Sequence, residues 1–120
     1  MPKHITIDND IHEFTSHSIS TVSWSGSQNI EIYNITEHNA ATFIGRITNG
    51  TNTTKLIIHL ADDDTNTGME VVEIAIGSEA TMLDLTFSAN IVSNDLVLNI
   101  TNANGGDTNT LKYYLFLSDL

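Results

Sequence analysis

The stretch that decides the fold runs ATFIGRITNG over residues 41–50 and TNTTKLIIHL over residues 51–60. Apolar side chains recur at every second position in both halves, which is typical of strands with one buried face. That buried face takes Phe43, Gly45, Ile47, Leu56, Ile58 and Leu60. Between the two runs stands Asn49-Gly50, a pair that favours a hairpin turn because both residues tolerate positive φ. The sequence therefore predicts an antiparallel hairpin.

The same alternation recurs along the rest of the chain. It predicts strands around residues 5–7, 22–24, 30–32, 41–48, 54–60, 71–76, 82–87, 96–101 and 111–117. In the strand at 71–76 the pattern assigns Val72, Ile74 and Ile76 to the core. One apolar face per strand indicates antiparallel sheets, and two such sheets bury those faces by packing together. We predict an all-β fold, an antiparallel β-sandwich of jelly-roll or Ig-like kind with about eight strands, in preference to a closed barrel.

Length and composition indicate one domain. The chain has 120 residues, of which 40% are hydrophobic, and it contains no linker or low-complexity tract. We expect a single β-sandwich domain over residues 1–120, with residues 1–17 either within it or forming an extended N-terminal arm. The segment from Asp8 to His17 is expected to be a loop or one helical turn.

Charge and cysteine content exclude several classes of partner and site. Fifteen acidic residues face only Lys3, Arg46, Lys55 and Lys112, so the formal net charge is -11. This field repels phosphate backbones and anionic lipids, which argues against nucleic acid and membrane surfaces as direct partners. The chain has no cysteine, which rules out disulfides and thiolate sites. Without a signal-peptide layout or a long apolar run, we expect synthesis in the cytoplasm without general secretion.

Apolar residues also recur on the predicted outward faces. They are Ile44, Ile57, Val71, Met82, Val97, Tyr114 and Phe116. Their number favours a second buried surface, either a homo-oligomer interface or a docking face. The alternative is that the inward and outward assignments are exchanged on some strands. A sheet-rich chain with few lysines also has poorly protected edges, which again favours assembly.

An acidic stretch at residues 62–68 raises the question of calcium. Asp62, Asp64 and Asn66 alternate there, and Glu73 follows Asp62 by eleven residues, as in a calcium-binding loop. However, Thr67 stands where that motif needs glycine, and the flanks predict strands. We favour a solvated acidic hairpin loop, with a calcium site from Asp62 to Glu73 as the open alternative.

No residue pattern indicates catalysis. No serine lies in a Gly-x-Ser-x-Gly motif, no carboxylate pair stands out, and no glycine-rich phosphate loop occurs. The histidines, which form no close ligand pair, are His4, His12, His17, His38 and His59. We assign no catalytic, cofactor-binding or metal residue, and expect a non-enzymatic protein without cofactors.

The order of segments from Ile30 to the C-terminus resembles a known kind of domain. The segments are Ile30 to Ile35, Ala41 to Thr48, Asn49-Gly50-Thr51-Asn52, Leu56-Ile57-Ile58-His59, Leu96 to Thr101, Asn102-Ala103-Asn104 and Lys112-Tyr113-Tyr114-Leu115. This layout is similar to small β-domains in virion structural proteins of tailed bacteriophages, of the capsid-decoration and head- or tail-fibre type.

The resemblance implies a non-enzymatic part of a virion, made in the host cytoplasm. It implies a homo-oligomer, expected to be a trimer, with capsid or tail proteins of the same particle as partners. Because the chain is short and starts at Met1, we expect a separate accessory part, such as a capsid decoration protein or head fibre. The alternatives are a receptor- or carbohydrate-binding module, using Tyr114 or Asp64 on a host-surface glycan, and a small barrel enzyme or ligand carrier.

Overall fold

The computed structural model describes residues 3–7, 10–14, 19–76, 83–103 and 108–119, with side chains described for 19–76, 83–103 and 108–118. Within these ranges the chain forms strands and turns and no helix. The strands are β1 (Lys3–Ile7), β2 (Asp10–Phe14), β3 (Ser20–Trp24), β4 (Ser27–Asn34), β5 (His38–Asn49), β6 (Asn52–Asp62), β7 (Thr67–Ile76), β8 (Leu85–Val92), β9 (Asp95–Asn102) and β10 (Asn109–Asp119).

Eight of these strands build two antiparallel sheets that pack face to face. The five-stranded sheet has the order β3-β10-β5-β6-β7, and the three-stranded sheet has the order β4-β9-β8. The remaining strands, β1 and β2, pair with each other, from Lys3 opposite Phe14 to Ile7 opposite Asp10. The predicted all-β antiparallel sandwich is therefore confirmed.

The N-terminal segment departs in part from expectation. The short first strand around Ile5 is confirmed as β1. The expectation of a loop or helical turn from Asp8 to His17 is wrong over residues 10–14, which form β2. The sequence there has no clean alternation, and backbone pairing with β1 supplies the hydrogen bonds that make it a strand. Positions 8, 9 and 15–18 lie outside the described residues.

The core is formed by the inner faces of both sheets. Its least exposed apolar side chains are Phe43, Ile47, Leu56, Ile58, Leu60, Leu96, Leu98, Ile100 and Leu111. Phe43, Ile47, Leu56, Ile58 and Leu60 agree with the buried face that the two-residue period predicts for the hairpin. Phe43 stacks on Tyr113 with ring centroids 4.9 Å apart, directly beside Gly45. A Cβ at Gly45 would lie 3.0 Å from Phe43 Cε1, so only glycine fits this stack without displacement.

Strand β7 faces the opposite way from its prediction. Val71, expected outside, packs against the core, whereas the expected core residues Val72, Ile74 and Ile76 are 41%, 52% and 49% exposed. The cause is the register with β6, which pairs Val71 with the buried Ile58. Because β7 carries apolar side chains on both of its faces, the two-residue period does not decide which face is buried. The pairing with β6 decides it.

The hairpin turn predicted at Asn49-Gly50 forms, shifted by one residue. Asn49 pairs with Asn52, so the loop is Gly50-Thr51, with positive φ only at Gly50, as in a type II′ turn. Asn49 therefore ends the strand instead of entering the turn. The β8–β9 turn has positive φ at both Ser93 and Asn94, the pattern of a type I′ turn.

A polar contact joins the two sheets at one end of the sandwich. Strand β4 contains a bulge between Glu31 and Tyr33 that leaves both Ile32 and Tyr33 buried. The Tyr33 hydroxyl donates to Asp62 Oδ1 at 2.6 Å, from the three-stranded sheet to the end of β6. Burial first, and then Asp62, raise the pKa of Tyr33 well above its usual value. This contact anchors the start of the acidic loop on the core.

Three buried asparagines join the strands at the opposite end. Asn49 Nδ2 and Asn102 Nδ2 both donate to Asn109 Oδ1 at 2.8 Å, and Asn109 Nδ2 donates to the Trp24 carbonyl at 3.2 Å. Asn109 is fully buried. The cluster connects β3, β5 and β10 of one sheet with β9 of the other, so the ends of four strands depend on it.

Candidate functional site

The solvent side of the five-stranded sheet, which we call the outer face, carries a row of apolar side chains. Register places Tyr114 opposite Ile44, Ile44 opposite Ile57, and Ile57 opposite Val72. These four residues form the apolar row, which crosses β10, β5, β6 and β7. Phe116 lies one row away and meets Tyr114 edge to face at 5.5 Å. A sandwich with a filled core thus has a second apolar stripe on its outside.

A row of cations runs beside the apolar row. Lys112 pairs with Arg46, and Arg46 pairs with Lys55, on three adjacent strands. Strands lie about 4.8 Å apart, so three positive groups start from neighbouring backbone positions. These residues, the basic row, are three of the four lysines and arginines in the chain. Since like charges directly opposite each other are destabilising, the folded chain gains nothing from this arrangement by itself.

The outer face differs in charge from the rest of the molecule. Among the described side chains it holds the basic row and one carboxylate, Glu70, which pairs with His59 two rows away. The whole chain has a formal net charge of -11. Within the described part of the chain, no carboxylate forms an ion pair with the basic row. The outer face is therefore a positive, partly apolar surface on an acidic protein.

The structure divides the residues that were predicted to be apolar and outward. It brings Ile44, Ile57, Tyr114 and Phe116 together on the outer face. Val97 instead lies on the outside of the three-stranded sheet, and Met82 lies outside the described residues. Val71 packs inward, and its place in the stripe is taken by the exposed residues of β7. A second apolar surface is thus present, with a partly different membership.

The acidic loop is held by its own carboxylates. Asp63 Oδ1 accepts the backbone N–H groups of Thr65 at 3.0 Å and Asn66 at 2.6 Å, and Asp62 Oδ2 accepts that of Asp64 at 2.9 Å. The N–H of Asn66, and after it that of Thr65, hold the pKa of Asp63 below its usual range. Asp63 and Asp64 are nevertheless exposed at the tip. The loop is a stiff, negatively charged projection.

The residues considered as calcium ligands, from Asp62 to Glu73, do not all lie close together. Asp62 pairs with Thr67 at the loop, whereas Glu73 pairs with Leu56, six residues further along the hairpin. At about 3.3 Å per residue, Glu73 lies roughly 20 Å from the loop. Because β7 is an extended strand, the sequence spacing that suggested calcium does not bring Glu73 to the loop.

The histidines are dispersed wherever the structure describes them. His59 lies on the outer face with Nδ1 3.2 Å from Thr42 Oγ1, and His38 begins β5 and meets Tyr33 edge to face. His4 and His12 belong to β1 and β2, and His17 lies outside the described residues. Among the described residues, no group of three His, Cys, Asp or Glu side chains is placed to hold a metal ion.

The outside of the three-stranded sheet is polar and linked by hydrogen bonds. Asn99 Nδ2 donates to Asn29 Oδ1 and to Ser27 Oγ, both at 2.8 Å, and Thr101 Oγ1 donates to Ser27 Oγ at 2.9 Å. These side chains satisfy one another in cross-strand pairs. This polar outside contrasts with the apolar and basic outer face of the other sheet, so the sandwich has two chemically different surfaces.

Two features of the surface were not predicted. The basic row joins residues far apart in sequence, and only the order β10-β5-β6 makes them neighbours. Arg46 and Lys55 stand at equal distances from the observed Gly50-Thr51 turn, whereas the predicted Asn49-Gly50 turn would have placed Arg46 opposite Thr53. The exposed apolar residues of β7 were assigned to the core, since their period matched a buried face.

Comparison with known proteins identifies a fold and no family. No family model matches the chain, and no curated protein does. Among solved structures, it is similar to the tailspike protein of the Acinetobacter phage vB_ApiP_P1, with a TM-score of 0.55, 14% sequence identity and 92% of this chain covered. The chain spans 24% of the length of that protein. In the described residues, no helix is long and apolar enough to span a membrane.

Proposed function

We propose that this chain is a virion structural protein of a bacteriophage that assembles with copies of itself through the outer face. The trimer is the proposed assembly, and capsid or tail proteins of the same particle are the proposed partners. The role is non-enzymatic, at the particle surface, as a capsid decoration or head-fibre component made in the host cytoplasm. The similarity in fold to part of a phage tailspike supports the proposal that the chain is a component of a phage particle.

The observation that carries this proposal is the apolar stripe on the outside of a filled sandwich. Ile74 and Ile76, on the same side of β7 as Val72, add exposed apolar surface beside the apolar row. A contiguous apolar surface of this kind is costly for a chain alone in water, because hydration of apolar area is unfavourable. Burial against another copy removes that cost and also covers the β7 edge, which has no proline or lysine to block strand pairing.

The test is the solution mass of the intact chain by light scattering after size exclusion. We expect a mass of three times 13.1 kDa, unchanged by calcium or by chelator. Replacing Val72 and Ile74 by aspartate should convert the assembly to a folded monomer, because both side chains are exposed before assembly. The matched control puts aspartate at Ser88 and Asn90, which are exposed on β8 of the other sheet.

A monomeric wild-type chain at high concentration would overturn self-assembly, as would a variant and control that change the mass equally.

The second candidate function, a carbohydrate-binding module, has its own supporting observation. A shallow depression on the outer face is lined by Ile19, Ile44, Gly45, Arg46, Lys55, Lys112 and Tyr114. An aromatic ring beside cations suits a sugar with an acidic group. Loss of glycan binding in Tyr114→Ala, with the mass unchanged, would favour this function.

A further inference from the structure

We infer that the outer face of one copy receives the acidic β6–β7 loop of the next copy, so that copies join head to tail instead of face to face. The inference rests on the proposed self-assembly and names the surface that meets the outer face. The loop is defined by residues 62–66, with Asp63 and Asp64 exposed at its tip. Charge complementarity on a chain with few cations is the argument.

The basic row needs an anion, and its own chain does not supply one among the described residues. Lys112, Arg46 and Lys55 stand side by side, and no carboxylate among the described side chains is in ion-pair contact with them. The acidic loop of the same chain cannot reach them. Lys55 lies seven residues before Asp62 on the straight β6 strand, a separation of roughly 23 Å. Among the described side chains, none of the same chain supplies a carboxylate to this row, and we therefore assign that carboxylate to another molecule.

Pairing of two outer faces by a two-fold axis would not place carboxylates beside the basic rows. In such an isologous contact each copy presents the same patch to the other. Each patch carries three cations and, among described side chains, the single carboxylate Glu70. Two basic rows would then approach each other with most of their charge unpaired, which like-charge repulsion opposes. The charge pattern thus favours a contact between two different surfaces.

The acidic loop has the properties that the complementary surface needs. Its backbone is fixed by hydrogen bonds to Asp62 and Asp63, and Asp62 is itself held by the Tyr33 hydroxyl. A stiff projection loses little conformational entropy when it binds. In the contact, Asp63 and Asp64 lie over the basic row, and the charges set the orientation of the two copies.

A head-to-tail contact also explains a closed oligomer. Heterologous contacts form a ring when the rotation closes and a filament when it does not. A ring of three copies, each loop on the next outer face, gives the proposed trimer. Each basic row then meets an acidic loop.

The experiment uses two charge-reversed forms of the full chain. The face variant carries Arg46→Glu and Lys112→Glu, and the loop variant carries Asp64→Lys and Thr65→Lys. All four residues are exposed, and the loop's backbone donors at 64 and 65 are kept. The control places lysine at Ser88 and Asn90 on the other sheet. Circular dichroism checks that each variant is folded, and light scattering gives its mass across concentrations.

We expect each variant alone to dissociate at a concentration at least about tenfold higher than wild type, with the control unchanged. Carrying all four substitutions on one chain should restore the oligomer. Mixing the two variants should restore binding between unlike copies, because each loop is then opposite in charge to the face of the other variant. A ring of three must still contain one contact between like variants, so the mixture should not close as a trimer. Stronger dissociation of wild type at high salt is also expected.

A loop variant that assembles like wild type, while the face variant does not, overturns this inference and leaves the proposed self-assembly standing. A monomeric wild type overturns both. Binding of polygalacturonate by wild type and by the loop variant, lost in the face variant with no change of mass, would assign the basic row to an acidic glycan and also overturn the inference.

Discussion

The buried asparagine cluster offers the sharpest test of what holds the two sheets together. Replacing Asn109 by alanine removes the acceptor shared by Asn49 and Asn102, and the donor to the Trp24 carbonyl. All of these atoms lie at the end of the sandwich, where the side chain of Asn109 is fully buried. Alanine leaves no polar group to replace it and opens a small cavity.

The size of the effect follows from the number of bonds lost. A neutral hydrogen bond contributes about 1 kcal/mol net, and a buried polar group that loses its partner costs about 1–3 kcal/mol. Loss of the bonds to Asn109 should therefore lower the free energy of unfolding by about 3–5 kcal/mol. This is a large fraction of the roughly 5–15 kcal/mol that a domain usually has.

Urea unfolding followed by Trp24 fluorescence measures this change, at one fixed protein concentration because assembly adds to stability. With a slope of about 1.5 kcal/mol per M, the midpoint of Asn109→Ala should fall by roughly 2–3 M. The control is Asn90→Ala, an exposed asparagine on β8, which should change stability by less than about 0.5 kcal/mol. Equal midpoints for the two variants would refute the reasoning.

Three further predictions concern stability. Tyr33→Phe should cost about 1–2 kcal/mol through the lost bond to Asp62. Because burial raises the pKa of Tyr33, its contribution is present below the usual tyrosine pKa of about 10 and is lost as pH rises beyond it, so the variant should show a smaller alkaline loss. Gly45→Ala should cost about 1–3 kcal/mol because its Cβ meets Phe43. Gly50→Ala should cost about 1 kcal/mol, since φ is +62° there.

Urea midpoints at neutral pH, repeated between pH 8 and pH 11 for Tyr33→Phe, measure these changes. Gly68→Ala is the control for both glycine variants, because a Cβ there meets nothing within 4 Å and φ is not positive. A control that loses as much stability as Gly45→Ala would contradict the packing argument. For Tyr33, the same alkaline loss in variant and wild type would show that other groups cause it.

Much of the fold was predictable from the two-residue period of the sequence. The hairpin from Ala41 to Leu60, the core residues Phe43, Leu56 and Ile58, and the antiparallel sandwich all followed from it. The period works because successive side chains of a strand point to opposite sides, so a strand with one buried face records its orientation locally. Ile44 and Ile57 of the candidate surface were identified in the same way, as apolar residues on the outward faces of their strands.

The two-residue period does not predict which side chains are buried where both faces of a strand are apolar, or where polar groups are buried. In β7 either face could enter the core, and only the register with β6 turns Val71 inward and exposes Val72. Asn109 and Asn102 look like ordinary turn residues, and their burial depends on strand ends from both sheets meeting.

The sequence by itself determined the acidity of this protein and, except for β2 and the orientation of β7, its strands and their buried faces, because those properties depend on residues close together along the chain. Only the tertiary structure decided where the cations lie. Lys112, Arg46 and Lys55 become neighbours because β10 pairs with β5 and β5 with β6 in one register. Pairing between strands distant in sequence is a cooperative property of the whole sheet, and so is the surface that it creates.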